Sequence, residues 1–322
     1  MLFLVIAAVL GLIVLANVAA ASPQSDLARL LYAILALINL FALGMALLFL
    51  GLTLLPWLNE LDSGLSTSYT QSFVGPLLGA SLWGLLVLWP AWRQWLARFT
   101  SLNPNSPVHT LALTLAGFLV ANTTITLNQG GIEALAETAD AASVGSLLLT
   151  GVALVAAAIL GVGTWTRRSW QDVWARLGLR PLQRTDLLVI LRWTPILILA
   201  EGLISLLLTL TNPEQLALLE EVNNAFLGDL DSLPEWLILG LASGIGEEIL
   251  FRGAIQPAFG LIPTAALFAV MHTQYGFSPL MLFIFLLGLI LGLIRQRYST
   301  TSAILVHFTY NFVLGLLALL FA

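Results

Sequence analysis

Long apolar runs set the strongest limit on what this chain can fold into. Ten apolar segments can be distinguished, and most approach or exceed the roughly 20 residues that a helix needs to cross a bilayer. They fall at about residues 1–20, 30–57, 74–91, 108–128, 142–165, 187–210, 236–259, 263–277, 279–295 and 301–321. Only 9% of the residues are charged, against about 25% in soluble domains. The sequence therefore predicts an all-α, polytopic transmembrane helical bundle of about ten helices.

Arginines fall in alternate loops between these segments, whereas the remaining loops hold acids and no arginine. Because arginine-bearing loops stay in the cytoplasm, this pattern predicts that both termini lie outside. We expect a multi-pass protein of a bacterial plasma membrane. The arginines concerned are Arg29, Arg93, Arg98, the cluster from Arg167 to Arg184, and the pair Arg295 and Arg297.

The first apolar run, residues 1–20, resembles a signal peptide only in part. No charged residue precedes Asp26, and the run is longer than the roughly 7–15 apolar residues of a signal peptide. We expect a retained first helix, and cleavage after residues 19–22 is the alternative.

Two loop segments have helical character of their own. In Thr166–Asp186, tryptophans and leucines alternate with arginines, which predicts either a helix on the cytoplasmic membrane surface or a plain cytoplasmic loop. The outer loop at 211–235 contains a stretch, NPEQLALLEEVNNAF, that could form one short helix. We predict a boundary near Arg184. Residues 1–184 would hold N-terminal membrane helices of unassigned role with the surface segment, and residues 185–322 a second membrane domain, whose ionisable residues, described below, make it the candidate catalytic domain.

Composition excludes several kinds of chemistry. The chain has no cysteine, so disulfides and thiolate catalysis are ruled out, and a metal would need His, carboxylate or amide ligands. No basic patch suggests a nucleic-acid partner.

Ionisable residues inside membrane spans are costly and are candidates for function by default. All such residues lie in the second half of the chain: Glu201, Glu247, Glu248, Arg252, His272 and His307. In GEEILFRG, Glu248 and Arg252 are four residues apart, so they share a helix face and can form an ion pair. Glu247 points about 100° away, which leaves its carboxylate free to face a polar cavity.

Two further pairs have the same four-residue spacing, Phe268 with His272 in FAVMH and His307 with Asn311 in HFTYN. Asn311 can orient His307 by hydrogen bonding or can reach the same ligand. Counted along their helices from the predicted inner ends, Glu247, His272, His307 and Asn311 lie at depths of roughly 12–20 Å. We therefore expect them to meet in one layer of the cytoplasmic half of the bilayer.

These motifs resemble the CPBP family of membrane proteins, which comprises the CAAX prenyl endopeptidases and the bacterial Abi-type membrane proteases. That family has EExxxR, FxxxH and HxxxN or HxxxD on successive helices, in the order found here. The resemblance covers about residues 235–317. It implies that Glu247 and His272 activate water, that His307 and Asn311 polarise the peptide carbonyl and stabilise its oxyanion, and that Glu248 and Arg252 provide structural support.

The cofactor and the role of Glu201 stay open. A zinc ion held by His272, His307 and Glu247 would match a His₂Glu catalytic site, and a metal-free glutamate mechanism is the alternative because no HExxH motif is present. Glu201 either lines the substrate cavity or is a protonated carboxyl group bonded to a neighbouring helix.

The resemblance predicts an intramembrane endopeptidase that hydrolyses a peptide bond near the cytoplasmic half of the bilayer. Its partners would be the lipid bilayer and a membrane-associated peptide or lipidated protein substrate, of the CAAX type or another. A non-proteolytic bacteriocin-immunity or scaffold protein of the same fold is the first alternative. A secondary transporter is the second, since intramembrane charges and interrupted helices also mark transporters.

Overall fold

The computed structural model describes residues 2–22, 25–55, 67–138 and 141–321. These residues are mostly helical and form no strand beyond an isolated bridge between Thr164 and Arg168. Eight helices among them are long and apolar enough to cross a membrane. The predicted all-α, polytopic fold class is thus confirmed, and the chain is an integral membrane protein.

Residues 11–131 form one of two compact units. After the first helix, α1 (Leu2–Ala21), its helices are α2 (Asp26–Thr53), α3 (Thr67–Leu88), α4 (Pro90–Leu96) and α5 (Pro107–Asn128). Helix α3 packs between α2 and α5. Buried Arg93 donates to the carbonyls of Val87 and Leu88 at 2.7 and 2.9 Å, which satisfies acceptors at the C-terminal end of α3.

Residues 1–10 and 132–322 form the other unit, which holds all six ionisable residues predicted to lie inside membrane spans, from Glu201 to His307. The helices are α6 (Gly131–Thr138), α7 (Val144–Gly161), α8 (Trp170–Leu177), α9 (Arg184–Thr211), α10 (Pro213–Leu227), α11 (Leu233–Glu248), α12 (Gln256–Phe259), α13 (Leu261–Val270), α14 (Pro279–Arg297) and α15 (Thr300–Phe321). From α11 to α12 the helix is continuous, because a seven-residue π-helix, Ile249–Ile255, joins them; we call it the π segment.

Small residues bring α11 close to helices on two sides. A Cβ added at Gly244 would lie 3.0 Å from the backbone nitrogen of Phe308 on α15. On the other side, a Cβ added at Gly246 would lie 3.0 Å from the Cα of Gly151 on α7. Helix α11 is therefore held between α7 and α15, and the position of its polar residues is fixed by both contacts.

The main apolar core of this unit surrounds the π segment and the helices that follow it. Phe251 and Phe268 are fully buried there and meet edge to face at 5.3 Å. Other members come from α14 and α15, including Phe283, Leu287, Leu291 and Val306. Aromatic and aliphatic packing of this kind fixes the backbone from which the polar side chains project.

Two of the ten predicted spans differ from the structure. The segment predicted at 236–259 is present, but as α11, the π segment and α12 rather than one α-helix. The predicted end of the segment at 263–277 is wrong, because α13 stops at Val270 and a short 3₁₀ turn, Thr273–Tyr275, follows. The end of the second predicted span, at residue 57, lies outside the described residues.

The backbone shows why α13 stops early. The amide of His272 bonds the carbonyl of Ala269 at 2.9 Å, three residues back, so the last turn tightens. Gly276 then adopts a positive φ of 51°, which glycine tolerates. Pro279 starts α14 at its first position, where the missing N–H costs no hydrogen bond.

Both predicted loop helices are present. The surface segment contains α8, which Ser169 and Asp172 cap reciprocally and Gly178 ends in the left-handed conformation. The outer loop contains α10. The two compact units divide near residue 131, whereas the division of roles at Arg184 stays a prediction.

Candidate active site

A buried carboxylate at the end of α11 binds two cationic or protonatable side chains. Glu248 is fully buried, and its Oε2 lies 3.1 Å from Nε of Arg252 in the π segment. Its Oε1 lies 2.9 Å from Nδ1 of His307 on α15. Arg252 also donates to the carbonyl of Gly288 at 3.3 Å and lies 4.3 Å above the ring of Phe268. Glu248 therefore joins three elements through one carboxylate.

The four-residue spacing predicts the contact of Glu248 with Arg252, and the structure contains it. The contact with His307 was not expected. Asn311, considered as a partner of His307, instead donates from Nδ2 to Oγ of Ser243 on α11 at 2.7 Å. The suggestion that Asn311 orients His307 is thus wrong for this geometry, because Glu248 orients that ring.

Glu247 is the carboxylate that remains available. It is half-buried, and its Oε2 atom is shielded from solvent without a hydrogen bond to any described residue. Its neighbour Glu248, by contrast, bonds His307 through Oε1 and forms an ion pair with Arg252 through Oε2. The two adjacent carboxylates thus have different environments. In enzymes, such a difference commonly gives one carboxylate a catalytic role and the other a supporting one.

His272 lies just after the last turn of α13 rather than on its face. Its Nδ1 is 2.8 Å from the carbonyl of Phe268, and because a carbonyl only accepts, Nδ1 carries a proton and Nε2 of the neutral ring is an acceptor. The ring of Phe268 lies 4.7 Å from His272 and 6.1 Å from His307. Both histidines therefore contact the same buried phenyl ring.

Glu201 on α9 is bonded to α15, since the hydroxyl of buried Tyr310 donates to its Oε2 at 2.8 Å. The ring of Tyr275 stacks against His272 at 6.4 Å. The sequence left two interpretations of Glu201, a residue that lines the substrate cavity or a protonated carboxyl group bonded to a neighbouring helix. The contact with Tyr310 is the bond that the second interpretation requires.

Three polar residues of this region were missed by the sequence argument: Ser243, Tyr275 and Tyr310. Two of them carry a usable spacing. Ser243 precedes Glu247 by four residues, and Tyr310 follows His307 by three, so each shares a helix face with a candidate residue. Tyr275 has no such spacing, because it lies in the irregular segment after α13.

The predicted zinc ligands do not form a compact group in this structure. Among the described residues, no group of three or more His, Asp or Glu side chains is placed to hold a metal ion. His307 turns Nδ1 to Glu248 and His272 turns Nδ1 to a carbonyl, which leaves Nε2 of each ring as the atom that would hold a metal. Because the described side chains form no three-ligand group as placed here, zinc stays a prediction and no step below passes through a metal.

The fold and the site define an integral membrane protein with a Glu–Arg–His cluster and a second carboxylate inside its helical bundle. Residues 229–313 match the family described as type II CAAX prenyl endopeptidase Rce1-like. The resemblance to CPBP proteins is thereby confirmed for this part of the chain. The matched segment contains all the candidate residues except Glu201.

A curated relative also matches part of the chain. It is an uncharacterized protein, YpbD, of Bacillus subtilis (strain 168), and it is 34% identical over 85 residues. The match covers 26% of this chain and 43% of that protein, so the chain spans less than half the length of this relative. No solved structure matches the chain.

Proposed function

We propose that this chain is an intramembrane endopeptidase in which Glu247 is the general base. The observation that carries the proposal is the contrast between two neighbouring carboxylates. Glu248 bonds His307 through Oε1 and forms an ion pair with Arg252 through Oε2, whereas the buried Oε2 of Glu247 has neither a hydrogen bond nor an ion pair among the described residues. A base for water must have such an unengaged acceptor within the site.

In the proposed reaction, a water molecule lies between Glu247 and Nε2 of His272. Both are acceptors, so both can orient the water's protons and leave its lone pair directed at the peptide carbonyl. As the oxygen attacks the carbonyl carbon, the proton passes to Glu247. Glu247 then returns it to the departing amine when the C–N bond breaks.

His307 and Asn311 are proposed to stabilise the oxyanion. When His307 carries both ring protons, Nε2–H can donate to the carbonyl oxygen while Glu248 balances the positive charge. Asn311 has a second amide N–H beyond the one given to Ser243. Donors that are already held in place are effective at stabilising charge that develops in the transition state.

The substrate is proposed to be a membrane-associated peptide or a lipidated protein. The family description, type II CAAX prenyl endopeptidase, favours a C-terminal prenylated peptide as the first substrate to test. The proposed place of reaction is the cytoplasmic half of a bacterial plasma membrane. The arginine-rich loops predict which helix ends face the cytoplasm, and the candidate residues are predicted to lie closer to those ends.

The proposal is tested with Glu247→Gln in reconstituted vesicles supplied with a farnesylated CAAX peptide. Glutamine preserves the shape but cannot take a proton, so we expect cleavage to fall by roughly 10²–10⁴-fold while thermal unfolding is unchanged. Glu220→Gln, an exposed acid on α10, is the matched control and keeps full activity. Unchanged cleavage in Glu247→Gln would transfer the role of base to another group.

A second measurement separates a protease from a scaffold without assuming the substrate. Membrane-protein fragments are compared between cells that carry the unmodified chain and cells that carry Glu247→Gln. New protein ends that depend on Glu247 are expected. Identical fragments in both cell lines would favour the non-proteolytic alternative.

A further inference from the structure

An apolar groove lies between α7 and α11, on the side of α11 that faces away from α15. Its volume is about 540 Å³, within the roughly 300–1,000 Å³ of ligand pockets. Its lining is almost entirely hydrocarbon. Both helices contribute to it, and two tryptophans close one end: Leu148, Val152, Val155, Leu241, Trp165 and Trp170.

A tight turn at that end holds an arginine beside the tryptophans. The amide of Trp165 donates to the carbonyl of Arg168 at 3.3 Å, and a bridge joins Thr164 to Arg168. The guanidinium of Arg168 donates to the carbonyl of Val162. The rings of Trp165 and Trp170 stack at 6.3 Å, so Arg168 is fixed at the tryptophan end of the groove.

Arg168 belongs to a group of three arginines without an acidic partner. Arg176 donates to the carbonyls of Gly253 and Ala254 at 2.8 and 3.2 Å, and Arg295 donates to that of Arg252 at 3.1 Å. In the described part of the chain, no acid forms an ion pair with Arg168, Arg176 or Arg295. Nearby Asp172 is engaged by the hydroxyl of Ser169 at 2.6 Å.

The positive charges in this group oppose one another. Burial, followed by the charges of Arg168 and Arg295, lowers the pKa of Arg176 to about 10. Each guanidinium has five N–H donors, so donors remain after the carbonyl contacts. An anion at this position would relieve the repulsion and use those donors.

We propose that the groove binds one anionic phospholipid of the bilayer, with an acyl chain between α7 and α11 and its phosphate against Arg168 and Arg176. Basic pockets between membrane helices at the cytoplasmic side bind anionic headgroups, and tryptophans favour the headgroup level. The occupant is a lipid rather than a free anion, because the apolar groove continues from the charged end. The site is independent of the proposed proteolysis, although Gly246 brings it next to Glu247.

The test measures lipid retained by the purified full chain after transfer to detergent. Dioleoyl phosphatidylglycerol and dioleoyl phosphatidylcholine are offered in equal amounts, and bound lipid is counted by native mass spectrometry. We expect about 25-fold more phosphatidylglycerol than phosphatidylcholine, since each of the two arginines favours the anion about fivefold. Inorganic phosphate does not displace the bound lipid.

Variants at both ends of the groove locate the site. Val152→Trp fills the groove and is expected to abolish retention, whereas Leu199→Trp, at a lipid-exposed position of α9, leaves it unchanged. Arg168→Gln keeps a donor for Val162 but removes the charge, and is expected to reduce retention about fivefold. The exposed Arg297→Gln is its control.

Three results would contradict the proposed lipid site. Equal retention of the two lipids excludes the headgroup contact, and displacement by inorganic phosphate excludes the groove. Retention by Val152→Trp equal to that of the unmodified chain also contradicts the proposal. If Val152→Trp does not fold, Leu241→Trp fills the groove from the opposite wall and is judged by the same result.

Discussion

At the scale of single residues, Glu248 holds the site together through two contacts that differ in origin. Arg252 lies four residues away on a continuous helix, and His307 lies on a different helix. Removing one member of a buried ion pair is costly because it leaves the other as an unpaired charge. The free energy of unfolding lost on replacing Arg252 should therefore depend on whether Glu248 remains charged.

We expect Arg252→Met to lower the free energy of unfolding by about 3–5 kcal/mol. The double variant Glu248→Gln with Arg252→Met should be more stable than Arg252→Met alone, because no charge is stranded. Thermal unfolding in detergent, arranged as a double-mutant cycle, measures this difference. If the two variants are equally destabilised, loss of packing over Phe268 rather than charge explains the effect.

Glu201 and Tyr310 give a second prediction at this scale. Tyr310→Phe removes the donor to the Glu201 carboxyl group and should lower the free energy of unfolding by about 1 kcal/mol. Glu201→Gln keeps an acceptor, so its stability should change little. We expect cleavage by Glu201→Gln to stay within roughly threefold of the unmodified chain. A larger fall in kcat/KM would instead assign Glu201 to the substrate cavity.

The sequence predicted the local part of the site and missed the rest for a physical reason. Spacing along one helix determines that Glu248 and Arg252 share a face, so this contact could be predicted. The contact between Glu248 and His307 joins residues 59 apart. Which faces of α11 and α15 meet depends on their packing, and no short-range pattern encodes that choice.

At the scale of helices, glycines on α11 permit this packing. Gly240 and Gly244 lie against Phe308, where an added Cβ would approach the chain to 3.0–3.2 Å. The close approach allows Glu248 to reach His307 and Asn311 to reach Ser243. The contacts of Glu248 with His307 and of Asn311 with Ser243 therefore depend on the glycines of α11.

We expect Gly244→Leu to push α15 away from α11 and to break the 2.9 Å contact between Glu248 and His307. Overpacking of this kind costs about 1–3 kcal/mol of unfolding free energy, and cleavage should fall at least about tenfold. Gly202→Leu on α9 is the control, because nothing lies within 4 Å of a Cβ added there. Cleavage retained in a correctly folded Gly244→Leu would show that the helix contact is not needed.

The π segment and the early end of α13 could not be read from the sequence. A π-helix has the same apolar composition as an α-helix and differs in its backbone bonding. Its carbonyls at 252, 253 and 254 accept from Arg295 and Arg176, which are distant in sequence. Likewise, the FxxxH spacing predicts a shared helix face, whereas His272 lies past the helix end.

At the scale of the whole chain, α13 determines how the last spans cross the membrane. Its ten residues extend about 15 Å, half of the roughly 30 Å hydrocarbon core. Residues 271–278 must cover the remaining distance if the chain crosses here. Irregular backbone at that depth is tolerated where protein covers it or where it lines a polar cavity, which agrees with a site built around His272.

The absence of cysteine from the sequence makes this topology directly measurable by single cysteine substitutions. Phe277 is 90% exposed just before α14, and Leu182 is 70% exposed in the arginine-rich loop before α9. With ten crossings and both termini outside, a membrane-impermeant maleimide should label Phe277→Cys in intact cells. Leu182→Cys should react only after the membrane is opened, because arginine-rich loops stay in the cytoplasm. Labelling of both from the same side would make α13 re-entrant, and the predicted number of crossings and the depth assigned to His272 would then be wrong.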